Sequence, residues 1–528
     1  MHNDNRSISE FRDYQTYRKE REEKMQKPFD EKVKSGIEKA CVLLFWLCVW
    51  QLAALLVDNK LLLAGPLDTA RALCREISSP DFFRTVGSSL LRLFAGFFAA
   101  FLCGGVLGVL SFRLHFIEAL LSPLMHFCKA VPVAAFAVIL LIWQGAGRLS
   151  ALVCFLVVLP IVYVNVLEGL SHTDKKLLEM AHVFRFSRKN IFFYIYRPAM
   201  APFLEGCLKT ALGMGLKAGV AAEVIGIPRW SIGGEIYLSK IYLDTAGIFA
   251  WTAVVLVLSF CLERAVLFLW RRFLLWKPSP AADENMHAGR TVPPKKHGRL
   301  STGTAFSCSQ SSQKKQVKSQ EAGSFLIFQD IDKKYDGHTV LSGINRRLAM
   351  TGSYCLMAPS GAGKTTLLHM AAGLVRPDAG SITVATDTGN SKETAEKTAE
   401  AGDAPIFVSM VFQEDRLCEA ESAITNVTLA CGDERKAVEC LEKLLPKEAL
   451  QKPVSQLSGG QRRRVCIARA LAADSGILLL DEPFTGLDEE NRQRAAEVIL
   501  AYRAGRLLLA ATHDEADAGR LLGEIWCL

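Results

Sequence analysis

Hydrophobic and polar positions divide this chain into stretches of different character. Up to residue 36, Lys and Arg are mixed with Asp and Glu and no long apolar run occurs, as in a solvated cytoplasmic tail. Between residues 37 and 272 six apolar segments recur, at approximately 37–57, 87–111, 117–143, 149–170, 201–227 and 248–269. Each is long enough to cross a hydrocarbon layer of about 30 Å, which takes about 20 helical residues. The third contains Pro123 and Pro132 and the fifth several glycines, so kinks or breaks are expected in both. Residues 277–324 are rich in Pro, Ser, Gln, Lys and Gly and lack the apolar surface to fold, which makes them a tether with a reach of roughly 35–40 Å. From residue 325 onward short β-rich runs alternate with helical periodicity, the pattern of an α/β domain. Strands are predicted at 325–331, 353–357, 381–384, 406–412, 476–480 and 506–511, and the polar, Ala/Lys/Glu-rich residues 386–402 read as a surface insertion. The predicted architecture is multi-domain: a tail (1–36), a six-helix α-helical transmembrane domain (37–276), a flexible linker (277–324) and an α/β domain (325–528).

Basic residues set the orientation. The connection 171–199 holds Lys175, Lys176, Arg185, Arg188, Lys189 and Arg197, and Arg271 and Arg272 follow the sixth segment, so both regions face the cytoplasm by the positive-inside rule. Six crossings return the amino terminus to that side, and the leader is too long and too acidic for a signal peptide. Over 528 residues the formal charge of +8 leaves no nucleic-acid footprint, and 50% hydrophobic with 22% charged residues excludes a disordered or collagen-like chain. Fifteen cysteines form no C-x-x-C pair, and several, among them Cys41, Cys48, Cys103 and Cys154, lie in apolar runs as reduced packing residues.

Candidate chemistry is concentrated in the α/β half. The strand ending at Met357 runs through Ala358, Pro359, Ser360, Gly361, Ala362, Gly363, Lys364, Thr365 and Thr366 into a helical pattern, the setting that a phosphate loop requires. Gly361 and Gly363 let successive N–H groups close around phosphate oxygens, and the positive helix end adds to the attraction. Lys364 is expected to reach the β and γ phosphates of ATP and Thr365 to ligate Mg²⁺. Ala358 stands where the motif has its first Gly, and its methyl is expected to restrict the turn. A second element, residues 477–483, is an apolar strand ending in Asp481 and Glu482. Asp481 is placed to hold the metal through water and Glu482 to polarise a water for in-line attack on the γ-phosphate.

Residues Leu457, Ser458, Gly459, Gly460 and Gln461, opening a helix with Arg462, Arg463 and Arg464, complete a set that resembles the ATP-binding cassette (ABC) ATPases, a P-loop NTPase fold. The resemblance covers nearly all of residues 325–528. It implies that Tyr335 stacks on adenine, that Gln413 is the lid glutamine sensing Mg²⁺, that Asp488 is a dimer contact and that His513 is the γ-phosphate switch. It also implies that Ser458, Gly459, Gly460 and Gln461 of one cassette cap the nucleotide held by another, so that a chain with one cassette works as a homodimer.

In the membrane half, Glu179, Met180 and Ala181, followed by Ile195 and Pro198, resemble the coupling loop of bacterial ABC importer permeases, whose pattern reads Glu-Ala-Ala, then Gly, then Ile-x-Leu-Pro. Met180, Arg185 and Arg197 depart from its second, Gly and Leu positions. Residues 222–228, 233–237, 89–92 and 130–134 are similar to permeases of the nitrate/sulfonate/taurine importer group. Among charges within spans, Arg92, Lys129, Lys209, Lys217 and Glu223 stand out, with Glu205 four residues from Lys209. The expected function is ATP-driven import of a small solute, organic or inorganic anions such as nitrate, sulfonate or taurine being compatible. An external substrate-binding protein delivers it to a multi-pass protein of the bacterial inner membrane, with tail and cassette cytoplasmic. Two alternatives remain at this stage: an ABC half-exporter and a nucleotide-gated membrane sensor.

Overall fold

The computed structural model of the protein describes residues 37–275 apart from 39 and 60, residues 324–386 apart from 360, and residues 407–528. The tail, residues 277–323 of the expected linker, residues 387–402 of the expected insertion, Ser360 and the first residue of the 406–412 strand lie outside the described residues. The chain forms two compact units, one drawn from residues up to Ser171 with Pro202–Phe273, the other from His172–Ala201 with Leu274–Leu528.

Helices α1 (Ala40–Val57), α2 (Pro66–Ile77), α3 (Phe82–Arg113), α4 (His115–Ala130), α5 (Val133–Gln144), α6 (Ala146–Ser171), α7 (Lys175–Val183), α8 (Arg188–Ile191), α9 (Arg197–Gly226), α10 (Ile232–Ile241) and α11 (Thr245–Leu275) follow in chain order. Among the described residues, α1, α3, α6 and α11 are long and apolar enough to cross a membrane, and α4 with α5 as a bent pair makes a fifth candidate, against the six expected. The missing one is α9, where Glu205, Lys209, Lys217 and Glu223 interrupt the apolar run. The third expected segment is broken: α4 and α5 meet at 102° across Val131 and Pro132, because proline offers no N–H to continue the ladder. The fifth is not. Helix α9 runs unbroken for 30 residues, and Gly215 and Gly219 act in packing, since a Cβ on Gly215 would lie 2.8 Å from Val158 Cγ2 and one on Gly219 2.0 Å from Leu93 Cδ2.

The same device joins α3 to α6. Gly96, Ala100, Gly104 and Gly108 recur every four residues on α3, and a Cβ at Gly96 would lie 2.1 Å from the Ala151 carbonyl oxygen. Small residues at this spacing let two backbones approach where lipid provides no hydrophobic drive. Of the charges singled out within spans, Arg92 and Glu223 are partners: they form an ion pair of 3.0 Å. Glu223, fully buried, also accepts from Ser89 Oγ at 2.8 Å and from the Gly233 N–H at 3.2 Å, while Arg92 donates to Trp230 O at 2.9 Å. This network ties α3, α9 and the start of α10 together. Glu205 is paired with both Lys209 and Arg271 at 3.1 Å, and Lys217 is exposed.

In the second unit, strands β1 (Ser324–Tyr335), β2 (His338–Ala349) and β4 (Ala379–Thr386) form an antiparallel sheet in the order β2-β1-β4. Strands β3 (Ser353–Met357), β5 (Val408–Val411), β6 (Ile477–Asp481), β7 (Leu507–Thr512) and β8 (Glu524–Cys527) form a second sheet, β5-β6-β7-β3-β8, with the parallel pairing of a doubly wound domain. Every residue of β5, β6 and β7 is buried, which explains their near-continuous apolar sequence. Strands β2 and β8 were not expected from sequence; β2 is an edge strand of mixed polarity interrupted at Gly343, whose φ is +61°. Residues 172–201, carrying α7 and α8, pack into this unit: Met180, Ala181, Phe184, Tyr194 and Ile195 belong to its buried core.

Candidate functional site

Parallel pairing sets three strand ends side by side. Met357 at the end of β3 is in register with Thr512 at the end of β7, and Asp481 at the end of β6 with Ala511. The loops leaving these ends carry the Ala358–Lys364 turn, Glu482 and His513, so the site lies outside the carboxyl ends of the strands.

Gly361 and Gly363 take φ values of +86° and +92°, a region that favours glycine. Gly363 is also tightly enclosed, since a Cβ there would lie 2.7 Å from Leu341 Cδ2. Ala358 is not among the residues with left-handed backbone, so its methyl does not strain the turn as the sequence led us to expect. Lys364 is buried, and its ammonium donates to the Ala358 oxygen at 2.6 Å and the Pro359 oxygen at 3.1 Å, curling the loop around it. The helix Lys364–Ala371 starts at Gly363 and points the free N–H groups of its first turn, which includes Thr365 and Thr366, toward the loop containing Ala362.

Asp481 is 1% exposed, and its Oδ2 meets no hydrogen-bond partner among the described residues. Burial pushes this carboxyl above its ordinary value; a hydrogen bond from the Thr365 hydroxyl pulls the other way and the neighbouring Glu482 charge adds to the rise. Orphaned carboxylate oxygen beside a threonine hydroxyl is a hard-oxygen donor set that suits Mg²⁺. Glu482 has φ of +45°, a conformation that a non-glycine residue holds only when its surroundings impose it. Its N–H donates to Ala511 O at 2.9 Å, and its Oε1 lies 3.2 Å from Nδ1 of the exposed His513.

The other expected residues occupy separate places. Ser458 caps the helix Gly459–Ala472 and forms a reciprocal capping box with Gln461, at 3.3 Å to the Gln461 N–H and 3.0 Å from the Ser458 N–H to Gln461 Oε1. Ser458 and Gly459 are exposed at this helix end, with Gly460 next to them. Asp488 caps the helix Glu489–Tyr502, and hydrogen bonds from the Asn491 N–H and side chain hold its carboxyl below the usual range. Tyr335 is 45% exposed beside the turn joining β1 to β2. Gln413 is exposed just beyond β5, and its carbonyl accepts from Arg463 at 3.3 Å.

The Gln413 loop is also where residues 172–201 attach. Lys176 pairs with Glu414 at 2.6 Å and Glu179 with Arg416 at 2.6 Å. The guanidinium of Arg185 lies 3.7 Å from the Phe407 ring centroid, and buried Arg469 stacks on Phe184 at 4.9 Å. Arg185 has φ of +51°, which accounts for a glycine at this position of the coupling-loop pattern. Sequence reasoning missed Glu414, Arg416, Arg463 and Arg469. The available signal was Arg469, placed among apolar residues of the helix Gly459–Ala472, an expensive location for an unpaired charge, whereas Arg463 is masked by the neighbouring Arg462 and Arg464.

Comparison with known proteins agrees with this geometry. The model of the ABC transporter family matches residues 341–485, and that of the binding-protein-dependent transport system inner membrane component matches residues 94–274. A taurine import ATP-binding protein of Pseudomonas savastanoi pv. phaseolicola is 36% identical over 207 residues, 37% of this chain and 74% of that protein. An Fe(3+) ions import ATP-binding protein of Vibrio cholerae is 32% identical over 38% of this chain and 57% of its own length. A spermidine/putrescine import ATP-binding protein of Fusobacterium nucleatum is 34% identical over 36% of this chain and 50% of its own length. This chain therefore spans between half and three quarters of these relatives. Among solved structures, a dimeric bacterial ABC transporter cassette is 26% identical, covering 38% of this chain and 94% of that one, with a TM-score of 0.34. With a phosphate loop, a strand-end acid pair and a signature helix in one unit and an inner-membrane transport component in the same polypeptide, the chain belongs to the ABC transporter family as a permease fused to an ATP-binding cassette.

Proposed function

We propose that this chain hydrolyses ATP to drive import of a small solute across a bacterial inner membrane, acting as a homodimer fed by an external substrate-binding protein. The observation that carries this reading is the pair of ionic contacts, Lys176–Glu414 and Glu179–Arg416, that attach the basic segment 172–201 directly beside Gln413. A loop so joined to a lid glutamine gives closure of the cassettes a rigid route toward the membrane helices.

In this reading the N–H groups of 361–366 and Lys364 bind the phosphates, Tyr335 stacks on the base, and Thr365 and Asp481, with Gln413, would hold Mg²⁺. When bound, the ion screens phosphate charge. Glu482 orients the attacking water by accepting its proton, and His513, already within hydrogen-bond distance of Glu482 Oε1, meets the γ-phosphate. Ser458, Gly459, Gly460 and Gln461 at the exposed helix end, with Asp488, complete the site of a second copy. Helix α9 crosses the membrane despite its charges, bringing the spans to six, with tail and cassette on the cytoplasmic side.

The taurine import ATP-binding proteins among the relatives make a small sulfonate the first solute to try. The test is uptake of labelled taurine, sulfonates and nitrate into proteoliposomes with ATP enclosed on the cassette side and a candidate binding protein outside. ATP-dependent accumulation on the cassette-distal to cassette-proximal axis supports import, and movement in the opposite direction identifies a half-exporter. Solute-responsive ATP turnover without any movement identifies a sensor.

A further inference from the structure

Arg463 is 2% exposed, and every N–H of its guanidinium is directed at oxygen atoms of two loops. Toward the strand-end acids, Nη2 donates to Asp481 O at 2.7 Å and Glu482 O at 2.6 Å, and Nε donates to Pro483 O at 3.1 Å. Toward the lid loop, Nη1 donates to Phe412 O at 2.6 Å and reaches Gln413 O and the Asp415 carboxylate, each at 3.3 Å. The location explains the need. Strands β5 and β6 are paired only as far as Val411 and Leu480, after which their chains diverge into the Gln413 loop and the Glu482 turn. One planar, five-donor group closes that gap. It grips three consecutive carbonyls around Glu482, the residue whose left-handed backbone needs external support.

We propose that Arg463 is a positioning residue for ATP hydrolysis: its fork fixes the direction of the Glu482 carboxylate and makes that direction depend on the Gln413 loop. The same short loop holds Glu414 and Arg416 on its other contacts, so a shift of segment 172–201 reaches Glu482 through one side chain. This inference rests on the ATPase reading. A lysine in place of Arg463 keeps the charge but cannot span both loops in one plane, and a glutamine loses the charge as well.

The full-length protein in lipid nanodiscs, as wild type, R463K and R463Q, separates the possibilities through steady-state phosphate release, binding of a fluorescent ATP analogue and thermal unfolding. Because a displacement of about 1 Å in a reacting group costs about 100-fold, R463Q is expected to lower kcat by about 100-fold and R463K by about 10-fold. The KM for ATP and the affinity for the analogue stay within about twofold of wild type, since nothing that holds the phosphates has changed. Wild-type kcat in both variants overturns the proposal. So does a parallel loss of nucleotide affinity and thermal stability in both, which would make Arg463 a purely architectural group. Absence of hydrolysis by the wild type itself refutes the ATPase reading and this inference with it.

Discussion

In the cassette, Gly361 and Gly363 occupy left-handed backbone, whereas Gly96, Gly104 and Gly108 of α3 sit in ordinary helix and leave room that α6 fills. The first pair is required for its dihedral freedom and the second set for its lack of volume. Buried charge differs in a parallel way. Arg463 in the cassette meets mainly backbone carbonyls, while Arg92 in the membrane unit meets a fully buried carboxylate, Glu223. The cassette can rely on water to drive its leucine-rich strands inward, so its polar interior is free to shape a site. Helices in lipid have no such drive and depend on close approach and on polar ties between helices.

The largest test of this contrast is chemical. Glu482→Gln keeps the shape of the turn but removes the proton acceptor of the proposed mechanism, and kcat for ATP should fall by about 1,000-fold with nucleotide binding retained, as read by phosphate release and equilibrium binding. Next is the membrane network. Glu223→Ala leaves Arg92 without its buried partner and should destabilise the membrane unit by about 3 kcal/mol, measured by thermal unfolding in detergent, with ATP affinity of the cassette unchanged. Gly96→Ala forces a methyl against the Ala151 carbonyl and should cost about 2 kcal/mol in the same assay. Gly105→Ala, whose Cβ meets open space, is the control and should change stability little. Equal losses at both glycines would erase the packing role assigned to Gly96.

The smallest effect is a pH dependence at the loop junction. His369 lies against Phe412, ring centroids 6.1 Å apart, and burial, with Arg416 nearby, holds its imidazole below the ordinary 6.5, partly opposed by Glu179. The unfolded chain therefore takes up the proton more readily than the folded one. Stability is full above pH 6.5 and declines as pH falls from there toward the lowered folded value. His369→Gln should flatten this slope, followed by unfolding of the nanodisc-held protein across pH 7.5 to about 5.

Legibility from sequence followed the range of the interactions. The glycine turn before the helix Lys364–Ala371, the strand ending at Asp481 and the capped start of the helix Gly459–Ala472 could be read because each is a short local run whose backbone geometry its own residues dictate. Strand β2 escaped notice because pairing with β1, not its own alternation, makes it a strand. The break at Pro132 was visible as a proline, but that α9 stays unbroken through its glycines depends on neighbours, α3 and α6, that no local pattern specifies. Arg185 looked like a departure from the coupling-loop pattern, and only its left-handed backbone shows what the glycine of that pattern is for.

Composition and local order by themselves determined that this polypeptide joins apolar helices to a nucleotide-binding α/β cassette, since hydrophobic periodicity and turn chemistry act over a few residues. Only the tertiary structure decided that residues 172–201 belong to the core of the second unit, that Arg92 answers Glu223, and that Arg463 bridges the Gln413 loop and the Glu482 turn. Those contacts join residues far apart in the chain, and a hydrogen bond depends on where its partner stands in space, which the folded backbone alone supplies.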